Sequence, residues 1–233
     1  MQPELQPNQA GYPAGTGGIA LEQQRVLRNT YLLLALTMVP TVIGAFIGIS
    51  TGGIVMQHPM ISFFVMLGAV TGLQFAIAAN RNSYLGVVLL LLMTFLLGWF
   101  LGPLLNYALA LKNGMQLVGY AAGGTGAVLF AMGMIATTTK RDFSFMGKFL
   151  FVGMIVLLIA MIANMFLQIP ALALTISSLV IVVFSLFLLY DLSRIVTGGE
   201  TNYVMATTGV YMSLFNIFAN LLSLLMSFAG ERD

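Results

Sequence analysis

The 233-residue sequence has no cysteine, one histidine and very little charge: 7% of its residues are Asp, Glu, Lys or Arg. Without cysteine there is no disulfide framework, thiolate nucleophile or cysteine metal site. A lone His58 beside Pro59 reads as an interfacial loop residue and cannot build a zinc site, which excludes an intramembrane metalloprotease. A membrane serine protease needs a base beside its nucleophile, and no helix offers a His or Lys near an embedded serine. The nine Lys and Arg residues are scattered between apolar runs and form no patch, so nucleic acid is not an expected partner. Gly123, Gly124, Thr125 and Gly126 resemble a phosphate loop, but no Lys-Ser or Lys-Thr follows them, so nucleotide binding is discounted and no cofactor is expected. The chain reads as a non-enzyme.

What is abundant is apolar. Hydrophobic residues make up 59% of the chain, and its surface cannot all be hidden from water in a soluble fold. The expected solvent is a lipid bilayer and the expected fold class is all-α and polytopic, because a helix satisfies its own backbone polar groups. A transmembrane barrel would alternate apolar and polar residues, whereas these runs are continuous.

Residues 1–24, rich in Pro, Gln, Gly and Ala, read as a disordered cytoplasmic tail that lacks the features of a signal peptide. Residues 25–233 read as a transmembrane domain. At about 20 residues per crossing, the charge-free runs predict seven helices, at approximately 30–50, 59–80, 83–103, 115–137, 147–167, 170–192 and 203–228. Breaks fall at Ser50 to Pro59, around Asn106 to Gly114, and at Gln168, Ile169 and Pro170. With the N-terminus inside, the cytoplasmic positions collect Arg25, Arg28, Arg81, Lys140, Arg141, Lys148 and Arg194, against Lys112 and Arg232 opposite. That bias predicts a cytoplasmic N-terminus and a periplasmic C-terminus.

Glycines spaced by four predict close helix packing at Gly44 and Gly48, Gly68 and Gly72, Gly98 and Gly102, and Gly119 and Gly123. In the last helix Gly209, Ser213, Asn216, Asn220, Ser223 and Ser227 recur at intervals of three and four. Facing lipid, that face costs free energy, so the last helix is expected at the centre of the bundle. Its polar residues read either as interhelical hydrogen-bond donors or as the lining of a pathway. Asp191 is the strongest single site residue, because an ionisable group at membrane depth is costly and tends to be functional. The alternative is an ordinary Asp191–Arg194 ion pair at a helix end. Glu200 reads as a solvated loop charge.

The stretch Tyr190-Asp191-Leu192-Ser193-Arg194-Ile195, then Gly198-Gly199-Glu200-Thr201-Asn202-Tyr203 and Tyr211 to Phe218 (YMSLFNIF), resembles the C-terminal signature of the Bax inhibitor-1 family. Val26 to Tyr31 (VLRNTY), Leu101 to Asn106 (LGPLLN), Gly123 to Thr125, Arg141 to Phe145 (RDFSF) and Phe166 to Leu172 (FLQIPAL) resemble its bacterial YccA-like branch. The resemblance implies a seven-helix fold with a central last helix in the bacterial inner membrane. It implies a modulator of the membrane-anchored AAA protease FtsH, acting as substrate and inhibitor in quality control, with HflK and HflC as associated partners. The wider family implies instead a pH-sensitive cation leak, with calcium and protons as ligands, built on two buried aspartates and a latching arginine. Carried over, Asp191 matches the first aspartate and Arg81 the latch, while Ser213 stands where the second aspartate would be, so no acidic pair forms there.

Overall fold

The computed structural model describes residues 16–139 and 141–230, with side chains from Leu21 to Ala229 apart from Ile54 and Lys140. The charge-free runs become α1 (Thr16–Thr51), α2 (Gly53–Gln57), α3 (Pro59–Ala79), α4 (Tyr84–Ala110), α5 (Gly114–Thr139), α6 (Met146–Leu167), α7 (Pro170–Thr197) and α8 (Tyr203–Gly230). All but the short α2 are long and apolar enough to cross a bilayer, so the chain is an all-α polytopic membrane protein with seven candidate spans. Pro59 and Pro170 each open a helix, where a missing N–H costs nothing. Gln168 ends α6 in the left-handed region (φ 50°), and the Asn164 side-chain oxygen accepts the Ile169 N–H at 3.1 Å. The expected break at 168–170 is thus a capped turn.

Two boundaries differ from expectation. α1 is already helical at Thr16, because Ala20 to Arg25 is a run of good helix formers with no proline. Residues 16–24 therefore belong to the helix; the rest of the expected tail, residues 1–15, lies outside the described residues, as do Lys140 and Arg232. α4 continues past 103 to Ala110 with Pro103 inside it. A proline deletes one donor, which a helix packed against neighbours tolerates.

Helix association relies on close approach through small residues, since lipid supplies no hydrophobic drive between helices. The α1–α4 seam shows it. A Cβ at Gly44 would strike the Phe95 carbonyl, at Gly48 the Trp99 carbonyl, at Gly98 the Thr41 carbonyl, and at Gly102 the Gly48 backbone. The other two expected seams do not form. Among the described residues, Gly68, Gly72, Gly119 and Gly123 have nothing within 4 Å of an added Cβ, because those faces of α3 and α5 meet no other described helix. Spacing puts glycines on one face without saying what that face meets.

α8 is the hub, packing against α1, α3, α4, α5 and α7, while α6 packs on α7. Tyr211, 2% exposed, shares a 2.8 Å hydrogen bond with the Thr41 hydroxyl and lies 3.4 Å from the Thr94 carbonyl, joining α8 to α1 and α4. Loop contacts place the start of α1 with the α3–α4, α5–α6 and α7–α8 connections. Asn202 bonds the Arg81 carbonyl, the Phe143 N–H donates to the Ser193 hydroxyl, and Gly198 lies against Gln23. Arg25, Arg81, Arg141, Lys148 and Arg194 thereby gather at one end of the bundle, and Lys112 stands at the other.

Candidate functional site

Asp191 sits in the last two turns of α7, beside the face that buries Leu188, Leu192 and Ile195. Its carboxylate points at α8, where a glycine leaves it room: a Cβ at Gly209 would lie 2.7 Å from Oδ2, so a larger residue there requires the carboxylate to move. The carboxylate lines a cavity of about 300 Å³ bounded by α3, α6, α7, α8 and the α7–α8 connection. Among the described residues no hydrogen bond or ion pair engages it.

The connection above the cavity is assembled from the resembling signature residues. Gly198 ends α7 at φ 83°, a conformation glycine adopts without penalty. The turn brings Glu200 back over the last turn of α7, where Arg194 reaches it at 3.3 Å. Arg194 also donates to the Gly199 carbonyl at 3.1 Å and lies 5.5 Å from the centroid of the Tyr190 ring. The second Glu200 oxygen accepts the Asn202 N–H at 3.0 Å. Asn202 then caps α8, its Oδ1 accepting the Val204 and Met205 N–H groups, while its Nδ2 donates to the Arg81 carbonyl and to Asn82 Oδ1. One asparagine starts the central helix and ties it to the α3–α4 turn.

Several expectations change here. Glu200 is not a solvated loop charge: its side chain is 18% exposed and ion-paired. The partner of Arg194 is Glu200 rather than Asp191, because the Gly198 turn delivers a second carboxylate to the same guanidinium. Arg81 forms no ion pair with Asp191; it is exposed, beyond the end of α3, and contributes its main-chain carbonyl. The basic side chain at the cavity is Arg194. Ser213 is 2% exposed and does line the cavity with Asp191.

The amides of Asn216 and Asn220 donate to the carbonyls of Met212 and Asn216, each at 2.9 Å and within α8. They therefore bind their own helix, and the interhelical bonds come from Tyr211 and from Thr207, whose hydroxyl lies 3.4 Å from the Thr30 carbonyl. Asn220 opens instead on a second cavity of about 260 Å³ toward the other end of the bundle, with Asn164 and Ser177. Asn216 stands three residues from Ser213 and four from Asn220, on the same face, so the two cavities lie along one polar stripe of α8.

In the α5–α6 connection the Asp142 carboxyl is held below its ordinary range, chiefly by hydrogen bonding from the Ser144 side chain and then its backbone N–H, the latter at 2.8 Å. Among the described residues no cluster of three His, Cys, Asp or Glu side chains is arranged to hold a metal ion. Sequence reasoning overlooked Gln74 and Phe187, and it named Asn202 only as part of the resembling signature, without its role as the α8 cap. Gln74 carried a readable signal, being a lone amide in the apolar run of α3.

Residues 23–230 match the protein family described as "Inhibitor of apoptosis-promoting Bax1". The chain is 41% identical over 205 residues to the protein of Escherichia coli K12 named "Modulator of FtsH protease YccA", covering 88% of this chain and 91% of that one. A protein of another E. coli strain, named "Inner membrane protein YccA", matches to the same extent. An "Uncharacterized membrane protein" of Vibrio cholerae is 40% identical over 88% of this chain and 90% of its own length.

Proposed function

Because the chain belongs to the Bax inhibitor-1 family, we propose that it is an inner-membrane modulator of the FtsH protease, acting as substrate and inhibitor in membrane-protein quality control. The observation that carries this is 41% identity, across 88% of the chain, with a relative named for that role. The reading assigns it no catalytic activity. HflK and HflC are proposed partners, and the positive end of the bundle is proposed to face the cytoplasm, where the protease acts. That end displays Arg81, Asn82 and the α7–α8 connection, with residues 1–15 preceding α1 as the handle for degradation.

The test is turnover in cells with and without FtsH. Deleting residues 1–15 should lengthen the half-life to that seen without the protease, and FtsH, HflK and HflC should co-purify from native membranes. Equal half-lives of the full chain in the two strains sink the idea.

One observation favours a second reading, a cation leak: the two cavities strung along the Ser213, Asn216 and Asn220 stripe of α8. Liposomes containing the purified protein should then pass calcium, with Asp191→Asn altering the flux and Ser213→Asp increasing its pH sensitivity. Flux no greater than in protein-free vesicles eliminates this reading.

A further inference from the structure

We propose that the cavity at Asp191 binds a small hydrophobic organic monocation, an aryl- or alkylammonium, admitted from the membrane interface between α3 and α6.

Charge selects the sign and number. Three charged side chains line the cavity, Asp191, Arg194 and Glu200. Arg194 and Glu200 neutralise one another at 3.3 Å, which leaves the single negative charge of Asp191. A half-buried carboxylate without a counter-ion is relieved either by a proton or by a bound cation, and the cation is the relief that operates while the carboxylate is ionised.

The rest of the wall selects an organic cation over a metal ion. Calcium asks for six to eight converging oxygens and magnesium for near-octahedral oxygen geometry, whereas Met205, Met212, Phe184 and Phe187 stand in this wall among its oxygen-bearing residues Glu200, Thr208 and Ser213, and Glu200 is already paired with Arg194. The rings of Phe184 and Phe187 lie 5.7 Å apart, and aromatic faces beside a carboxylate are the chemistry that holds substituted ammonium groups. A neighbouring ring already does this, since Tyr190 carries the Arg194 guanidinium at 5.5 Å. The cavity, about 300 Å³, stands at the small end of ligand sites, which limits the ligand to one ring or a short branched chain.

The portal follows from the helix arrangement. Gln74 of α3 and Met154 of α6 both line the cavity, yet α3 and α6 share no extended packing seam. Gln74 is exposed and stands little more than a turn from the end of α3, so the gap opens near the bilayer surface, where amphipathic amines concentrate. The inference goes beyond both readings above, because a ligand can occupy this cavity whether or not ions cross the bundle or a protease is modulated.

The test uses the full chain in nanodiscs of zwitterionic lipid at pH 8, with benzyltrimethylammonium as the probe and its uncharged isostere neopentylbenzene as the control. Calorimetric titration should show saturable binding of one probe per chain, absent from empty nanodiscs. Asp191→Asn, a near-isosteric change, should weaken probe affinity at least tenfold and leave any neopentylbenzene binding unaltered. Gly209→Ala, which pushes a methyl onto the carboxylate, and Phe187→Leu should each weaken it severalfold, with melting curves establishing that every variant tested is folded. No saturable binding by the folded protein overturns the proposal, and so does affinity unchanged by Asp191→Asn. Calcium binding that depends on Asp191, with no binding of the ammonium probe, also overturns it and assigns the cavity to a metal ion.

Discussion

Asp191 and Gly209 are in backbone-to-side-chain contact: the position a Cβ would take on Gly209 is 2.7 Å from Asp191 Oδ2 and 2.9 Å from Cγ. The carboxylate is therefore held against α8 by the absence of a side chain there. Asp191 cannot swing toward α8, and its free side is the cavity.

Gly209→Ala should thus push the carboxylate toward the cavity and lower stability by less than the cost, about 1–3 kcal/mol, of forcing a methyl into a closed, packed site. Adding Asp191→Ala to it should recover much of the loss, because the colliding group is gone. A double-mutant cycle on melting temperatures checks this; strictly additive effects would show that the two residues do not share the space.

Glycine position decides the sign of substitution elsewhere. Gly98→Ala collides with the Thr41 backbone and should destabilise by about 1–3 kcal/mol. Gly72→Ala meets open space and should be neutral or stabilise by about 0.4–1 kcal/mol through a less flexible unfolded chain. Thermal melts of the two variants in one detergent compare them directly.

The α7–α8 connection should respond to both of its polar anchors. Glu200→Gln loses a partly exposed ion pair, for which about 0.5 kcal/mol is appropriate after solvent screening. Asn202→Ala removes the α8 cap as well as the link to the α3–α4 turn and should cost about 1 kcal/mol or more. Hydrogen exchange should rise at Val204 and Met205 in the second variant and remain near wild type in the first.

Acid should act on the α5–α6 connection through Asp142. Its folded pKa is depressed, so its contribution to stability is complete above the unfolded pKa and is lost as pH falls through the folded one. A carboxyl carbon-13 titration should place its midpoint below the ordinary 3.8, and Ser144→Ala should move it upward. A wild-type midpoint at or above 3.8 would contradict the hydrogen bonding seen there.

Much of this architecture is legible in sequence because it depends on properties that run along the chain. Lengths of charge-free segments count the crossings. The breaks at Pro59 and Pro170 follow from what a proline nitrogen can do, and the polar stripe of α8 predicts that this helix is interior. Asp191 stands out for being charged within an apolar run. None of these needs knowledge of a neighbour.

Tertiary structure decided the pairings. Four glycine pairs share the same spacing, and only Gly44 with Gly48 and Gly98 with Gly102 found a helix to approach. Three residues within a few positions of one another, Asp191, Arg194 and Glu200, allowed two ion pairs by sequence separation. The left-handed turn at Gly198 chose Arg194 with Glu200 and left Asp191 to the cavity. The physical reason is range: hydropathy and helix periodicity are set by residues adjacent in the chain, whereas Coulombic and steric contacts act over a few ångströms in space. Which groups come that close is settled only when the helices have packed.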